Sequence, residues 1–293
     1  MIVDCHTHIW QSPEQLGQVD LGELAKAPRS RPARGSLGGR TLWRSIPSGD
    51  PDYHWSQSGT VDKSIVLGFK SRYLRAEIPN RLLADYVKRD PQKLIGFAGI
   101  DPTEGSATEE LRVAREELRL LGVTVSPANQ DFHPSDSRAM DLYAEAERLK
   151  MPVLFHPVGQ FVEQSKMEFA RPYLLDEVAR SFPQLRIVIA QMGQPWIEET
   201  ICLLGKHQNV FADVSGLISR PWQAYNAMVS AHQSGVIDKL LFGSDFPYTN
   251  ATECIEALYS LNQLAQGTNL PVVPRENLRG IVERDALNLL GLE

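Results

Sequence analysis

The chain has 293 residues, with 30 lysines and arginines against 36 aspartates and glutamates, which gives a formal net charge of −6. This balance argues against nucleic acid as the main partner, because phosphate binding needs a clustered basic surface. Three scattered cysteines exclude a disulfide framework, and no apolar run approaches the roughly 20 residues that a membrane helix needs.

Eight short apolar runs recur along the chain and predict strands that are covered on both faces. The runs are Ile2–Val3, Ser64–Phe69, Leu94–Ile100, Val123–Val125, Val153–Phe155, Ile187–Ala190, Val210–Val214 and Leu240–Phe242. Between them lie longer stretches with helical periodicity, such as Ser106–Leu121 and Asp136–Leu149. Eight strand–helix repeats predict an α/β protein with a closed (β/α)8 TIM barrel, forming one domain over residues 1–293. An open doubly wound sheet is disfavoured, because no glycine-rich phosphate loop follows any run.

One segment departs from this alternation and predicts a long insertion after the first strand. Residues 11–59 are rich in glycine, proline, serine and arginine and show little periodicity. A loop at this position lies over the C-terminal mouth of a barrel, where active sites form. Trp43, Tyr53 and Trp55 argue against full disorder, so we expect a partly ordered lid.

Histidines and one aspartate lie where predicted strands end. His6 and His8 end the first strand, and residues two apart on a strand point the same way. His156 ends the fifth strand and Asp245 follows the eighth. Three nitrogens and one carboxylate at the same rim predict a site for one divalent metal ion. Zn²⁺ is the expected ion, and Mn²⁺ or Fe²⁺ would also be tolerated.

The motifs DCHTH at residues 4–8, HP at 156–157 and GSDFP at 243–247 resemble those of the amidohydrolase superfamily. The resemblance is to its amidohydrolase-related branch, which includes aminocarboxymuconate-semialdehyde decarboxylase. It implies a distorted (β/α)8 barrel with a single divalent metal ion. The ligands that it implies are His6, His8, His156 and Asp245.

The chain departs from the family pattern at two strand ends. After the fourth strand, residues 122–127 hold no lysine of the kind that bridges two metals in binuclear members, which favours a mononuclear site. After the sixth strand, Gln191 stands where the family usually has a histidine. Glutamine can donate a hydrogen bond but carries no titratable proton near neutral pH.

Other residues at the predicted mouth are candidates for catalysis and substrate binding. His133 follows the fourth strand and can replace the missing acid as a catalytic residue. Lys70, Arg72 and Arg220 follow the second and seventh strands, where a cation suits an anionic substrate. Ordinary loop charge is an equally good interpretation of these three cations.

The leading hypothesis is a metal-dependent hydrolase that acts on an amide, ester or lactone bond of a small carboxylated molecule. In it, the ion activates water, Asp245 moves the proton, and the ion or Gln191 stabilises charge on the substrate oxygen. The first alternative is a metal-dependent non-oxidative decarboxylase, or carboxy-lyase, that uses the same site. The second is a non-catalytic barrel that binds a metal and a ligand, favoured by Gln191.

The expected partner is a small-molecule substrate, with neither nucleic acid nor membrane, and a homodimer remains open. The opening residues lack the basic and apolar regions of a signal peptide, so a cytoplasmic location is expected.

Overall fold

Eight parallel strands follow one another around a barrel in the order in which they occur in the chain. They are β1 Val3–His8, β2 Lys63–Leu67, β3 Leu94–Gly99, β4 Gly122–Val125, β5 Val153–Phe155, β6 Ile187–Ile189, β7 Val210–Asp213 and β8 Leu240–Leu241. The computed structural model describes residues 1–17, 47–156 and 163–292. The Cys5 amide donates to the Phe242 carbonyl (2.9 Å) and the Asp245 amide to the His6 carbonyl (2.9 Å), which joins β8 to β1. The predicted (β/α)8 barrel is confirmed.

Helices lie between and after the strands along the chain. They are α1 Pro51–Gln57, α2 Asn80–Val87, α3 Ala107–Glu116, α4 Pro127–Gln130, α5 Ser137–Arg148, α6 Leu175–Ser181, α7 Ile197–Lys206, α8 Pro221–Gln233, α9 Ala251–Tyr259, α10 Arg275–Glu283 and α11 Ala286–Leu290. A short antiparallel hairpin, Lys70–Ser71 with Ala76–Glu77, follows β2. In the part of the chain that the structure describes, no helix has the length and apolar character to cross a membrane.

The barrel has separate apolar layers inside and outside its wall. Val3 and Cys5 of β1 pack inside with side chains from the other strands, and Leu287 and Leu290 of α11 join this inner cluster. Because Val3 begins β1, α11 closes the N-terminal end of the barrel. The outer layer lies between strands and helices and includes Val123 of β4. Apolar filling at one end leaves the opposite, C-terminal rim for polar side chains.

The predicted insertion is described only at its two ends. A short 3-10 turn covers Pro13–Leu16, and α1 begins after Asp50, whose carboxylate accepts hydrogen bonds from the Asp52 and Tyr53 amides. Residues 18–46 lie outside the described residues, so the lid stays a prediction.

Candidate metal centre

Three imidazole rings meet at the C-terminal rim of the barrel. The Nε2 atom of His6 lies 3.0 Å from Nε2 of His8 and 3.2 Å from Nε2 of His156. A shift of register between β1 and β2, between Asp4 and Thr7, accompanies this orientation of the two β1 histidines. β5 ends at Phe155 and places His156 opposite them. The structure therefore brings together three of the four ligands expected from the sequence.

The spacing of these nitrogens suits one metal ion. Zinc–nitrogen bonds are about 2.0–2.1 Å long, so two nitrogens on one ion lie about 3 Å apart. The three side chains form a group whose ligand atoms lie within 4.8 Å of one another. His6 is fully buried, while His8 and His156 are half-buried, which leaves one side of the group accessible. The donor set and its geometry fit a mononuclear divalent ion.

Asp245 lies beside the three histidines. Its Oδ1 atom is 3.6 Å from Nε2 of His6, and its Oδ2 atom accepts a hydrogen bond of 3.3 Å from the Gln191 side chain. Both Asp245 and Gln191 have left-handed backbone conformations, with φ of 61° and 53°, which non-glycine residues rarely adopt. Backbone strain of this kind clusters at active sites. Asp245 can therefore complete the ligand set with a carboxylate oxygen.

Burial determines the protonation states of Asp245 and His8. Burial raises the pKa of Asp245 to about 7, although the charge of His6 acts in the opposite direction. Burial and the neighbouring histidines hold the pKa of His8 well below its ordinary value, so His8 is neutral. A neutral imidazole has the free lone pair that a metal ion needs.

Asp213 is a functional residue that the sequence analysis missed. Its Oδ2 atom lies 2.9 Å from Nδ1 of His6, and its Oδ1 atom accepts hydrogen bonds from the amides of Gln191 and Ser215, both 3.0 Å. A carboxylate on Nδ1 keeps the proton there and turns the Nε2 lone pair towards the ion. Its position at the end of β7, on the same rim as the expected ligands, is the sequence feature that could have identified Asp213.

Gly216, three residues after Asp213, keeps space open beside Gln191 and Asp245. A Cβ atom at this position would lie 2.9 Å from the Gln191 side-chain nitrogen and 3.0 Å from Oδ2 of Asp245. Gly216 also has φ of +62°, so two independent reasons favour glycine here.

The three predicted substrate-binding cations have different surroundings. Arg220 is half-buried and donates to the Gln194 side chain, and its charge lowers the pKa of Asp245. Lys70 is bound by Glu104 and Glu110, at 2.7 and 2.9 Å, so its charge is already neutralised. This pairing removes the reason for predicting that Lys70 binds an anionic substrate.

Arg72 and His133 have contacts that give their predicted roles no support. The Arg72 side chain is exposed, and its backbone is fixed by the hydrogen bond from its amide to Asp101 (2.7 Å) and by the one that its carbonyl accepts from the Arg75 amide (3.3 Å). His133 is exposed as well. Its Nδ1 atom lies 2.9 Å from the Ser135 hydroxyl, and its ring packs edge-on against Phe169.

Solved structures of similar fold cover nearly the whole chain. A probable 2-pyrone-4,6-dicarboxylic acid hydrolase from Acinetobacter baumannii, with citric acid bound, has a TM-score of 0.64 at 15% identity, covering 99% of each chain. A 2,6-dihydroxybenzoate decarboxylase from Rhizobium has a TM-score of 0.63 at 17% identity, covering 99% of this chain and 98% of its own.

A third similar structure contains a metal ion. The dihydroxybenzoic acid decarboxylase from Polaromonas sp. JS666, with bound manganese and the inhibitor 2-nitroresorcinol, has a TM-score of 0.63 at 15% identity. The similarity covers 99% of this chain and 97% of that one. At these identities, the three likenesses establish the fold.

No functionally curated protein matches the sequence. The family profile described as amidohydrolase matches residues 3–292, almost the full length, and spans all four residues that are expected to bind the metal ion. This match agrees with the resemblance carried by the three strand-end motifs. The chain belongs to the amidohydrolase family.

Proposed function

We propose that this protein is a metal-dependent non-oxidative decarboxylase of small 2-hydroxy aromatic or enol carboxylates. The observation that carries the proposal is the meeting of three imidazole nitrogens beside the buried carboxylate of Asp245. The Rhizobium and Polaromonas structures are decarboxylases of dihydroxybenzoates, which supports this reaction over the hydrolysis that leads the sequence-based hypotheses.

His6, His8, His156 and Asp245 would hold one divalent ion. When bound, the ion supplies a Lewis acid that neutralises the carboxylate and the adjacent oxygen of the substrate. Three nitrogen ligands favour Zn²⁺, while manganese is the ion in the Polaromonas structure. The absence of lysine from residues 122–127 of this chain supports a single ion.

Asp245 is the proposed proton donor. A proton passes from its carboxyl group to the substrate carbon, the bond from that carbon to the carboxylate breaks, and carbon dioxide leaves. Asp245 then regains a proton from water. The Gln191 side chain holds Oδ2 of Asp245 and so orients the carboxyl group without exchanging a proton itself.

Arg220 is the proposed anchor for an anionic group of the substrate. Its charge lowers the pKa of Asp245, which supports a guanidinium within electrostatic range of the reacting group. Gln194 holds Arg220 from one side and itself donates to Gln223 at 2.5 Å. A guanidinium fixed in this way can bind a carboxylate in bidentate geometry.

A panel of substrates tests the reaction. The metal-loaded protein is incubated with 2,6-dihydroxybenzoate, related hydroxybenzoates and 2-pyrone-4,6-dicarboxylate, and both carbon dioxide and acid release are measured. Carbon dioxide from a hydroxybenzoate, abolished in the Asp245→Asn variant, is the expected result. Acid release without carbon dioxide would contradict the decarboxylase.

Hydrolysis of an amide, ester or lactone bond is the second candidate, and the Acinetobacter structure is the observation that favours it. Asp245 would then accept a proton from the attacking water and return it to the leaving group. If neither product forms although the metal is bound, the remaining alternative is a barrel that only binds its ligand.

A further inference from the structure

A small cavity lies outside the barrel wall, behind the strand that carries His6 and His8. Its polar lining includes Asp4, Thr7, His54, Ser58, Ser64 and Ser244. Ser64 alternates along β2 with Ile65, which points into the barrel, so Ser64 points outwards. The cavity therefore lies between the wall and α1, which contributes His54, and is separate from the metal centre.

Ser64 has a buried hydroxyl without a protein partner. The residue is 1% exposed, and among the described residues its Oγ atom forms no hydrogen bond. A buried polar atom without a partner costs about 1–3 kcal/mol, so such atoms usually contact a water molecule or an ion. Because Ser64 lines the cavity, the cavity is where its missing partner belongs.

The lining offers several oxygen lone pairs, beside the side-chain nitrogens of His54, Gln57 and Asn250 and the apolar side chains of Phe246 and Ala251. The Thr7 hydroxyl donates its proton to the Ile65 carbonyl at 2.8 Å, and the Ser58 hydroxyl donates to the Trp55 carbonyl at 2.9 Å. Both oxygens then have only lone pairs left for an occupant. Asp4, which is 3% exposed, adds a carboxylate.

The charge of the lining is compensated only in part. Among the described residues that line the cavity, there is no lysine or arginine to pair with Asp4. Burial lowers the pKa of His54 to about 4, so its ring adds no positive charge at neutral pH. One carboxylate surrounded by neutral oxygens matches a single positive charge, and hard cations prefer oxygen ligands.

We propose that this cavity binds one monovalent cation of the size of Na⁺ or K⁺, with Asp4, Ser64, Thr7 and Ser58 supplying oxygen ligands. The central space of about 10 Å³ suits one occupant the size of a water molecule. The inference is independent of the proposed reaction.

The position of Asp4 gives the cation a structural consequence. Asp4 accepts hydrogen bonds from the amides of His6 (3.3 Å) and Ser244 (2.8 Å), which lie at the junction of β1 with the segment after β8. An occupant that fixes Asp4 therefore stabilises the closure of the barrel directly behind the metal ligands.

Thermal unfolding of the intact protein tests the site in NaCl, KCl and choline chloride at equal ionic strength. We expect a saturable rise in Tm of about 3 °C or more with Na⁺ or K⁺ relative to choline. Ser64→Ala removes the unpartnered oxygen and should abolish the rise. Thr124→Val is the matched control, since Thr124 is 2% exposed and its hydroxyl equally unpartnered, but on β4.

Crystals of the wild-type protein soaked in rubidium chloride provide a test that depends on no variant. An anomalous peak within the cavity is the expected result. Equal Tm values in the three salts together with an ordinary water molecule in the cavity would overturn the proposal. A cation response that Ser64→Ala leaves unchanged would place the ion elsewhere and overturn it too.

Discussion

A single carboxylate, Asp213, decides which nitrogen of His6 faces the metal centre. Burial lowers the pKa of His6, but the charge and hydrogen bond of Asp213, together with the charges of Asp245 and Asp4, leave the pKa above its ordinary value. An incoming metal ion must therefore displace a proton from His6, so metal affinity should rise with pH.

Asp213→Asn should lower the affinity for the divalent ion about 10- to 100-fold, because asparagine provides no charge to hold the His6 ring. Titration against a chelator of known affinity measures the effect. Asp176→Asn is the control, since Asp176 pairs with His207 at 2.7 Å in another part of the fold. Equal losses in the two variants would show that Asp213 has no specific role.

Asp245→Asn should abolish turnover and leave the fold intact. Asparagine keeps the shape of the side chain but offers neither a carboxylate ligand nor a carboxyl proton. Turnover of the metal-loaded variant and its far-UV circular dichroism are the two measurements. Wild-type turnover would contradict the role assigned to Asp245 in both candidate reactions.

At the scale of elements, α1 is held to the barrel partly by a buried histidine. His54 is 2% exposed, and its Nδ1 atom lies 2.6 Å from the Tyr86 hydroxyl of α2. Its ring also packs edge-on against Phe246, next to Asp245. α1 therefore connects the predicted insertion to the segment that carries Asp245, a proposed metal ligand.

Burial of neutral His54 predicts a loss of stability in acid. Its pKa is about 4 in the folded protein and near 6.5 when exposed, so the unfolded state binds the proton more tightly between these values. The free energy of unfolding should fall by about 3 kcal/mol as the pH falls from 6.5 to 4. Urea unfolding across this range, compared with His54→Gln, isolates the contribution. Parallel pH profiles for the two proteins would refute it.

At the scale of the whole molecule, the metal centre links β1, β5 and the segment after β8, so binding of the ion should stabilise the entire barrel. An ion present at a hundred times its Kd adds about 2.7 kcal/mol to the free energy of unfolding. Removal of the ion with a chelator should lower Tm by several degrees. A His6→Ala, His8→Ala double variant should contain no metal by elemental analysis and show no chelator effect.

A homodimer stays a prediction, and the exposed apolar side chains indicate where to test it. Trp222, at 49% exposure, stacks on Tyr225, whose hydroxyl donates to the Pro271 carbonyl beside the exposed Val272. If this surface forms a dimer, Trp222→Glu should convert the dimer to a monomer in sedimentation velocity. A wild-type protein that already sediments as a monomer would exclude the assembly.

The sequence by itself determined the barrel, because the signals for its strands are local. Buried parallel strands are continuous apolar runs, and all eight runs became strands. Alternation along β1 also determined that His6 and His8 share a face, and strand ends located His156 and Asp245.

Only the tertiary structure decided which side chains pair. Asp213 lies 207 residues from His6, Lys70 is 34 and 40 residues from its two glutamates, and the cavity combines side chains from β1, β2, α1 and the segment after β8. These contacts depend on strand register and on how loops fold over the rim, which no local period encodes. Hydrophobic periodicity determines the strands and helices. The pairing of polar side chains depends instead on distances between them that are set only when the barrel closes.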